Sequence, residues 1–200
     1  MDIFFGDYVA LGGHPYVLLL VDVATRYCRL YGMSSLSSTS IMSALYLFKA
    51  DVGRLPHSFH SNFDRKLIGW NSLQWILSNG STIIAAPAGR QSSNWLAECT
   101  WHSIIQMARA FITEKQVGQG LWYFAVFHVA MMPNQVPGQI GIKLTTPFGF
   151  MHNFKPDYKI WFELFSIGYF NHDTDNAESC SKLPAHTLDG LVPRLAIAAT

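Results

Sequence analysis

The sequence predicts an α/β fold with a mixed sheet of about five strands, flanked by helices, and three observations support this class. Three segments rich in β-branched and aromatic residues follow one another near the start, and Gly12-Gly13 is a turn signal between the first two. Helix-like and strand-like patterns then alternate along the chain. Half of the 200 residues are apolar and only 14% are charged, which suits one substantial core.

Each element follows from a local pattern. The first three predicted strands, at residues 4–10, 17–24 and 27–31, are consecutive and antiparallel. The next two, at 56–62 and 82–86, have βαβ order. Apolar residues at helical spacing predict helices at 37–51, 70–77, 94–113 and 120–132. A Ser/Thr-rich segment can cap the first of these helices, and Asn79-Gly80 is a stop signal for the second. We predict a core domain at residues 1–135 and a partly irregular post-core segment at 136–200.

The overall composition excludes several classes of protein. A net charge of +1 is not the basic footprint of a typical nucleic-acid-binding protein, so any DNA contact must come from local clusters. The longest apolar runs, 16–21 and 120–127, are shorter than the roughly 20 residues of a membrane helix. Three isolated cysteines favour neither a disulfide framework nor a zinc knuckle. We therefore expect an intracellular protein without a membrane segment.

Acidic residues are scarce before residue 120, so their positions carry information. Asp2 opens the first predicted strand, and Asp22 interrupts the second, where a charge needs a partner or an exposed edge. Glu98 lies in the first turn of the long helix and continues the face formed by Trp101, Ile105, Ala108 and Ile112. This series predicts that the carboxylate lies at the edge of the buried stripe. A pair with His102 or a contact with the helix N-terminus is the alternative for Glu98 taken alone.

A third acidic position lies in the stretch 60–66, HSNFDRK, where Asp64 follows Asn62 by two positions. Carboxylates from the start of a first strand, the end of a fourth strand and the start of a helix can converge on a pair of divalent cations. Phosphodiester chemistry uses such a pair to activate one oxygen and to stabilise the departing one. Because Mg²⁺ prefers carboxylate oxygens, acids and not histidines would mark this site.

Several blocks of the sequence, in order over about the first 170 residues, resemble the integrase catalytic core of copia-type LTR retrotransposons. That family belongs to the RNase H-like DDE polynucleotidyl transferases. MDIFFGDY resembles its first catalytic strand, LLLVDVATRY its second-strand block, and PAGRQSSNWLAE the loop and helix start that carry the catalytic Glu. The blocks MARAF, LWYFAVFHVAMMPNQVP, TTPF and KPD follow in the family's order. The resemblance implies an RNase H-like fold.

The resemblance also implies three catalytic positions, Asp2, Asn62 and Glu98. In the family pattern, 35 residues separate the second catalytic Asp from the Glu. In this sequence 35 residues lie between Asn62 and Glu98, whereas 33 residues lie between Asp64 and Glu98. The register therefore places a neutral amide where the family has a carboxylate. An amide oxygen can touch a metal but does little to hold two cations close together.

Asp64 is the alternative acidic ligand, so the implied metal-binding set is Asp2, Asp64 and Glu98. A residue two positions further along a strand shares the same face but lies roughly 6.6 Å away. Asp64 could therefore reach the metal position of residue 62 only if the end of the strand were altered. The family's Asn-Gly before the helix reads Asn94-Trp95 here, so a bulky side chain replaces a residue that supplies loop freedom. These departures suggest a degraded or fragmentary copy.

The residues expected to contact DNA are few. Arg65, Lys66 and Arg90 could form a small basic rim beside the site, although an ordinary solvated surface would contain the same residues. Asn94 of the family's loop motif completes the set of expected nucleic-acid-binding positions: Arg65, Lys66, Arg90 and Asn94.

The resemblance implies metal-dependent 3′-end trimming and strand transfer of element DNA into target DNA, with Mg²⁺ or Mn²⁺ as cofactor. Its implied partners are the element ends and the target DNA, together with a possible second copy of the chain, in a nuclear or cytoplasmic particle. Because Asn62 weakens the metal site, whether this copy is an enzyme stays open. The alternative is a catalytically dead RNase H-like remnant that only binds nucleic acid or dimerises.

Overall fold

The computed structural model describes residues 1–6, 9–61, 69–85 and 94–158, with the side chain of residue 85 excepted. Contacts divide the chain into two units, Met1–Pro156 and Asp157–Thr200. Within the described ranges, every helix and strand lies in the first unit. The division at residue 135 that the sequence predicts for the catalytic core stays a prediction.

The chain opens with an antiparallel meander of three strands, β1 (Asp2–Phe5), β2 (Tyr16–Val21) and β3 (Cys28–Met33). Asp2 lies opposite Leu19 in the first pair, and Val21 lies opposite Cys28 in the second. The first strand begins and ends earlier than predicted. After it, Gly6 lies against the Trp122 indole, and a Cβ at Gly6 would come within 2.4 Å of that ring. Only glycine fits this close approach.

The connection between β2 and β3 explains the acid in LLLVDVATRY. Asp22 lies just after the strand, where its carboxylate accepts hydrogen bonds from the Thr25 N–H (2.8 Å) and the Thr25 hydroxyl (2.7 Å). Its own backbone N–H donates to the Tyr27 carbonyl, and the Arg26 N–H donates to the Asp22 carbonyl. The predicted need of Asp22 for a partner is therefore met within the turn, as is usual for Asp side chains near turns.

Helix α1 (Ser38–Val52) follows, with the Ser37 hydroxyl accepting from the Ser40 N–H and Gly53 ending the helix in the left-handed region. A strand–helix–strand unit comes next: β4 (Ser58–Ser61), α2 (Trp70–Ser78) and β5 (Thr82–Ala85). Strands β4 and β5 are parallel, with Ser58 opposite Thr82. The predicted βαβ order is thus present.

The second half of the unit is mainly helical. Helix α3 (Trp95–Glu114) and helix α4 (Trp122–Met131) lie close to the predicted bounds. A hairpin of β6 (Gly138–Ile140) and β7 (Lys143–Thr145) then leads to α5 (Pro147–His152). These last three elements were not predicted, because each has six residues or fewer and lacks a period long enough to recognise.

The α/β class is confirmed, but the predicted single sheet of about five strands is not seen as one continuous ladder. In the part of the chain that the structure describes, β1, β2 and β3 form one sheet, β4 and β5 a second, and β6 and β7 a third. The Met1 nitrogen donates a hydrogen bond to the His60 carbonyl of β4. This bond brings the start of β1 beside β4, although the two strands share no ladder among the described residues.

The three-stranded sheet is covered on both faces. Leu18 and Leu20 of β2 join a buried cluster with Ile41 and Leu45 of α1 and Ile76 of α2. On the other side, α3 packs against β2 and α4 packs against β3. Successive side chains of a strand point to opposite faces, so β2 is apolar throughout because both of its faces are buried.

No helix in the described ranges combines the length and the apolar character that a membrane span requires.

Candidate active site

Asp2 stands at the start of β1, half-buried, with its Oδ1 accepting a hydrogen bond of 2.9 Å from the Ile3 N–H. Its position follows from the strand pairing, which places Asp2 opposite the fully buried Leu19. Burial at this depth disfavours the ionised carboxylate unless a positive charge or a hydrogen-bond donor stabilises it. The predicted location of Asp2 at the first strand is confirmed.

Glu98 lies one turn into α3 and is exposed. The buried stripe of this helix consists of Ala97, Ile104 and Ala108, so the expectation that Glu98 continues the buried stripe was wrong. Ala97 and not Glu98 packs inward at the start of the helix, whereas Ala108 of the predicted stripe is buried. An exposed carboxylate pays little desolvation and can approach a cation from the solvent side.

Asn94 connects these two acids to the same framework. It is the residue before α3, and only 4% of its surface is exposed. Its Nδ2 donates to the Met1 carbonyl at 3.3 Å, and its side chain also hydrogen-bonds Asp2. The amide therefore ties the start of α3 to the start of β1. A direct DNA contact, which the sequence predicts for Asn94, would require this buried side chain to leave its place.

The charge of Glu98 acts on Asp2, so the two carboxylates lie within electrostatic range of each other. Burial raises the pKa of Asp2 above its ordinary value, and the negative charge of Glu98 raises it further. The Ile3 N–H and the Asn94 amide lower the pKa in part, without cancelling the rise. A divalent cation near the Asp2 carboxylate would relieve both the cost of burying its charge and its repulsion by Glu98.

Replacing Asp2 by Asn is expected to raise the free energy of unfolding at neutral pH. Since folding raises the pKa of Asp2, its contribution to stability is fully present below the ordinary value of 3.8 and is lost as the pH rises through the raised pKa. The Asn variant lacks this loss. The difference between the two proteins should therefore be near zero in acid and should open as the pH rises, which urea unfolding from about pH 3 to pH 8 would measure.

The control for this series is Glu114→Gln, at the far end of the same helix, where the residue is exposed. That variant should follow the parent at every pH. An Asp2→Asn protein that is less stable than the parent at neutral pH, or a gap that does not change with pH, would contradict the assignment of Asp2 as a strained carboxylate.

The remaining predicted site residues lie outside the described residues. They are Asn62, Asp64, Arg65, Lys66 and Arg90. The structure does, however, describe both flanks of the first four, since β4 ends at Ser61 and α2 begins at Trp70. In the sequence, Asn62 directly follows β4, the strand whose His60 carbonyl accepts a hydrogen bond from the Met1 nitrogen.

The donor set fits a hard divalent cation, although it is not complete in the described residues. Among those residues no group of three or more His, Cys, Asp or Glu side chains is placed to hold a metal ion. Asp2 and Glu98 supply carboxylate oxygens, the ligand type that Mg²⁺ and Mn²⁺ favour. Mg²⁺ is commonly bound by one or two carboxylates together with phosphate oxygens, so these two residues would suffice for the protein's share of such a site.

A cavity of about 580 Å³ adjoins this site. It lies between the end of β2 and the strand β4, and its wall includes Met1, Asp22, His60, Asn94 and Trp95. The volume is in the range of natural ligand pockets. Sequence reasoning did not foresee this cavity, because its walls come from six segments that are distant along the chain.

Two solved structures that this chain resembles are retroviral integrase catalytic core domains. The BIV integrase catalytic core domain superposes with a TM-score of 0.56 at 11% identity, covering 76% of this chain and 90% of that domain. The HTLV-2 integrase catalytic core domain, solved in complex with magnesium in a trimeric form, superposes with a TM-score of 0.55 at 13% identity, covering 76% and 92%. The expected RNase H-like integrase-core fold is thus supported at the level of the fold.

No protein-family model and no curated protein matches the sequence.

Proposed function

We propose that this chain, which has the fold of a retroviral integrase catalytic core, is the catalytic core of a copia-type retrotransposon integrase. Its inherited reaction is metal-dependent trimming of DNA 3′ ends and their transfer into target DNA. The observation that carries the proposal is that Asp2, at the start of the first strand, and Glu98, in the first turn of the long helix, lie within electrostatic range of each other in an integrase-like fold. The copia-type assignment rests on the sequence blocks.

Each residue has a defined role in this proposal. Asp2 and Glu98 would hold the divalent cations, which would supply activation of the attacking oxygen and stabilisation of the leaving oxygen at a phosphodiester. Asn94 keeps Asp2 and the start of α3 in register through its buried amide. Asn62 is a defective third ligand, and Asp64 the acid that could replace it. Arg65, Lys66 and Arg90 would contact phosphates.

A second candidate function is a non-catalytic module that binds nucleic acid or dimerises. The observation that favours it is the neutral side chain at position 62, where the family register calls for a carboxylate. The bound magnesium and the trimeric form are properties of the HTLV-2 structure. That this chain binds a divalent cation and associates with a second copy is proposed.

The experiment that separates the two candidates is a strand-transfer and disintegration assay with Mn²⁺ and a labelled branched DNA. The parent chain is compared with Asn62→Asp, and the double variant Asn62→Asp/Glu98→Gln is the control. If the integrase proposal is right and Asn62 silences this copy, only Asn62→Asp forms product.

Each other result has a definite meaning. Product from the parent chain would support the integrase function but would show that Asp64 or another acid completes the site. No product from any protein, with DNA binding retained, would favour the non-catalytic module. Product from the Glu98→Gln double variant would refute the assignment of Glu98.

A further inference from the structure

Trp95 is a large aromatic side chain left exposed beside the candidate active site. It opens α3, directly after Asn94 and one turn before Glu98, and 55% of its surface is accessible. Residues three apart on a helix are neighbours, so Trp95 and Glu98 lie on one face of α3. In the part of the chain that the structure describes, the indole stays more than half exposed, whereas Trp101, one and a half turns on, stacks on Phe4 with ring centroids 4.5 Å apart.

A cation lies over the Trp95 ring. The guanidinium carbon of Arg26 is 5.9 Å from the centroid of the indole, within the range of a cation–π interaction. Arg26 is itself exposed. More than half of the indole surface remains open to solvent while the guanidinium occupies one face. We call this pair the Trp95–Arg26 platform.

The turn between β2 and β3 holds Arg26 in place. Its backbone has φ 65, in the left-handed region that residues with a side chain rarely adopt. The Arg26 N–H donates to the Asp22 carbonyl at 3.0 Å, while the Asp22 carboxylate is occupied by Thr25. The acid nearest to Arg26 along the chain is thus engaged elsewhere, and the guanidinium keeps its charge for a ligand. Non-glycine residues in this region often mark functional positions.

We propose that the Trp95–Arg26 platform binds an unpaired nucleotide of the DNA substrate, with the base stacked on the indole and the phosphate near the guanidinium. This inference rests on the proposed integrase function and extends it to a specificity-determining contact. Stacking on an aromatic side chain suits any base, because every base has a π-face, and arginine adds charge attraction. The adjoining cavity of about 580 Å³, which Arg26 and Trp95 both line, gives the base room.

The observations favour DNA over a protein partner at this position. The platform offers one aromatic ring and one positive charge near the two carboxylates to which the proposed function assigns the metal ions. The cavity that the platform lines is mostly apolar, which suits the face of a base. Its wall also includes the polar or titratable side chains of Asp22, His57, His60 and Asn94, which can hydrogen-bond the edge of a base.

The test is binding of fluorescently labelled DNA in Mg²⁺ at fixed low salt, followed by anisotropy, with two probes. One probe is a duplex with a short 3′ single-stranded overhang and the other is the blunt duplex. We expect Trp95→Ala to weaken binding of the overhang DNA roughly 5- to 100-fold, and of the blunt DNA much less. Trp95→Phe should retain most of the affinity, since the ring can still stack.

Trp70→Ala is the matched control, because Trp70 is also an exposed tryptophan at a helix start, with 73% of its surface accessible. It should leave the affinity for overhang DNA unchanged. Arg26→Gln should weaken binding and reduce the slope of log affinity against log salt by about one, as expected for the loss of one phosphate contact.

The outcomes distinguish this inference from the proposed function. If the parent chain binds neither DNA, the proposed function itself fails. If the parent binds DNA but Trp95→Ala binds the overhang probe as tightly as the parent does, the function stands and the platform is refuted. An equal loss on overhang and blunt DNA, or an equal loss with Trp70→Ala, would also refute it, because the loss would then be general.

Discussion

We expect Mn²⁺ to raise the melting temperature of the Asn62→Asp variant by roughly 5–10 °C and to leave that of the parent chain nearly unchanged. A ligand that binds only the folded state stabilises it by about 2.7 kcal/mol at one hundred times its dissociation constant. For a domain of this size each kcal/mol corresponds to roughly 2–4 °C. The reason for the expected difference is that, under the integrase proposal, a carboxylate at position 62 would complete the ligand set with Asp2 and Glu98, whereas the neutral amide of the parent chain would not.

The experiment is differential scanning fluorimetry with increasing Mn²⁺ on the two proteins. The variant Asn62→Asp/Asp2→Asn should lose the shift, whereas Asn62→Asp/Glu114→Gln should keep it, since Glu114 lies at the other end of α3. A shift of equal size in the parent chain would show that position 62 is not the missing ligand and that another acid, such as Asp64, already completes the site. No shift in any variant would argue against a metal site at Asp2 and Glu98.

We expect Asn134→Ala to lower the free energy of unfolding by about 2–5 kcal/mol, because two buried hydrogen bonds are lost. Asn134 is fully buried, its Oδ1 accepts from the Cys28 N–H at 2.8 Å, and its Nδ2 donates to the Cys28 carbonyl at 2.7 Å. The side chain therefore acts as the strand partner for the start of β3. Alanine leaves both backbone groups buried without a partner and opens a small cavity as well.

Urea unfolding followed by circular dichroism measures this change, and the melting temperature should fall by roughly 5–20 °C. Gln139→Ala is the matched control, because that amide is exposed on β6 and its side-chain bond, to the Gly141 carbonyl, is exposed too. It should change the stability by no more than about 0.5 kcal/mol. An equally small effect of Asn134→Ala would mean that water satisfies the Cys28 groups and that Asn134 does not hold this edge.

The buried Asn134 also shows why the MMPNQVP block belongs to the compact unit. Asn134 fastens the segment after α4 to β3, and the Tyr27 hydroxyl lies 3.0 Å from the His152 Nε2 of α5. Both contacts join residues more than 100 positions apart. A sequence pattern can mark such an asparagine as unusual, but its partner is decided by packing.

The sequence by itself determined the order of the main helices and strands and the positions of Asp2 and Glu98 at element starts. Periodicity, caps and turn residues act within a few positions, so α1 to α4 are found near their predicted bounds. The blocks around these acids also predicted an integrase-like fold, which the two structural neighbours support.

Only the tertiary structure decided which surfaces these residues present. Glu98 is exposed and Asn94 is buried, because the rotation of α3 is set by its packing on β2 and by the bond from Asn94 to Met1. The meeting of Arg26 with Trp95 depends on a left-handed turn residue that no local propensity favours. Such contacts join distant parts of the chain, so their energies are absent from any local window of the sequence.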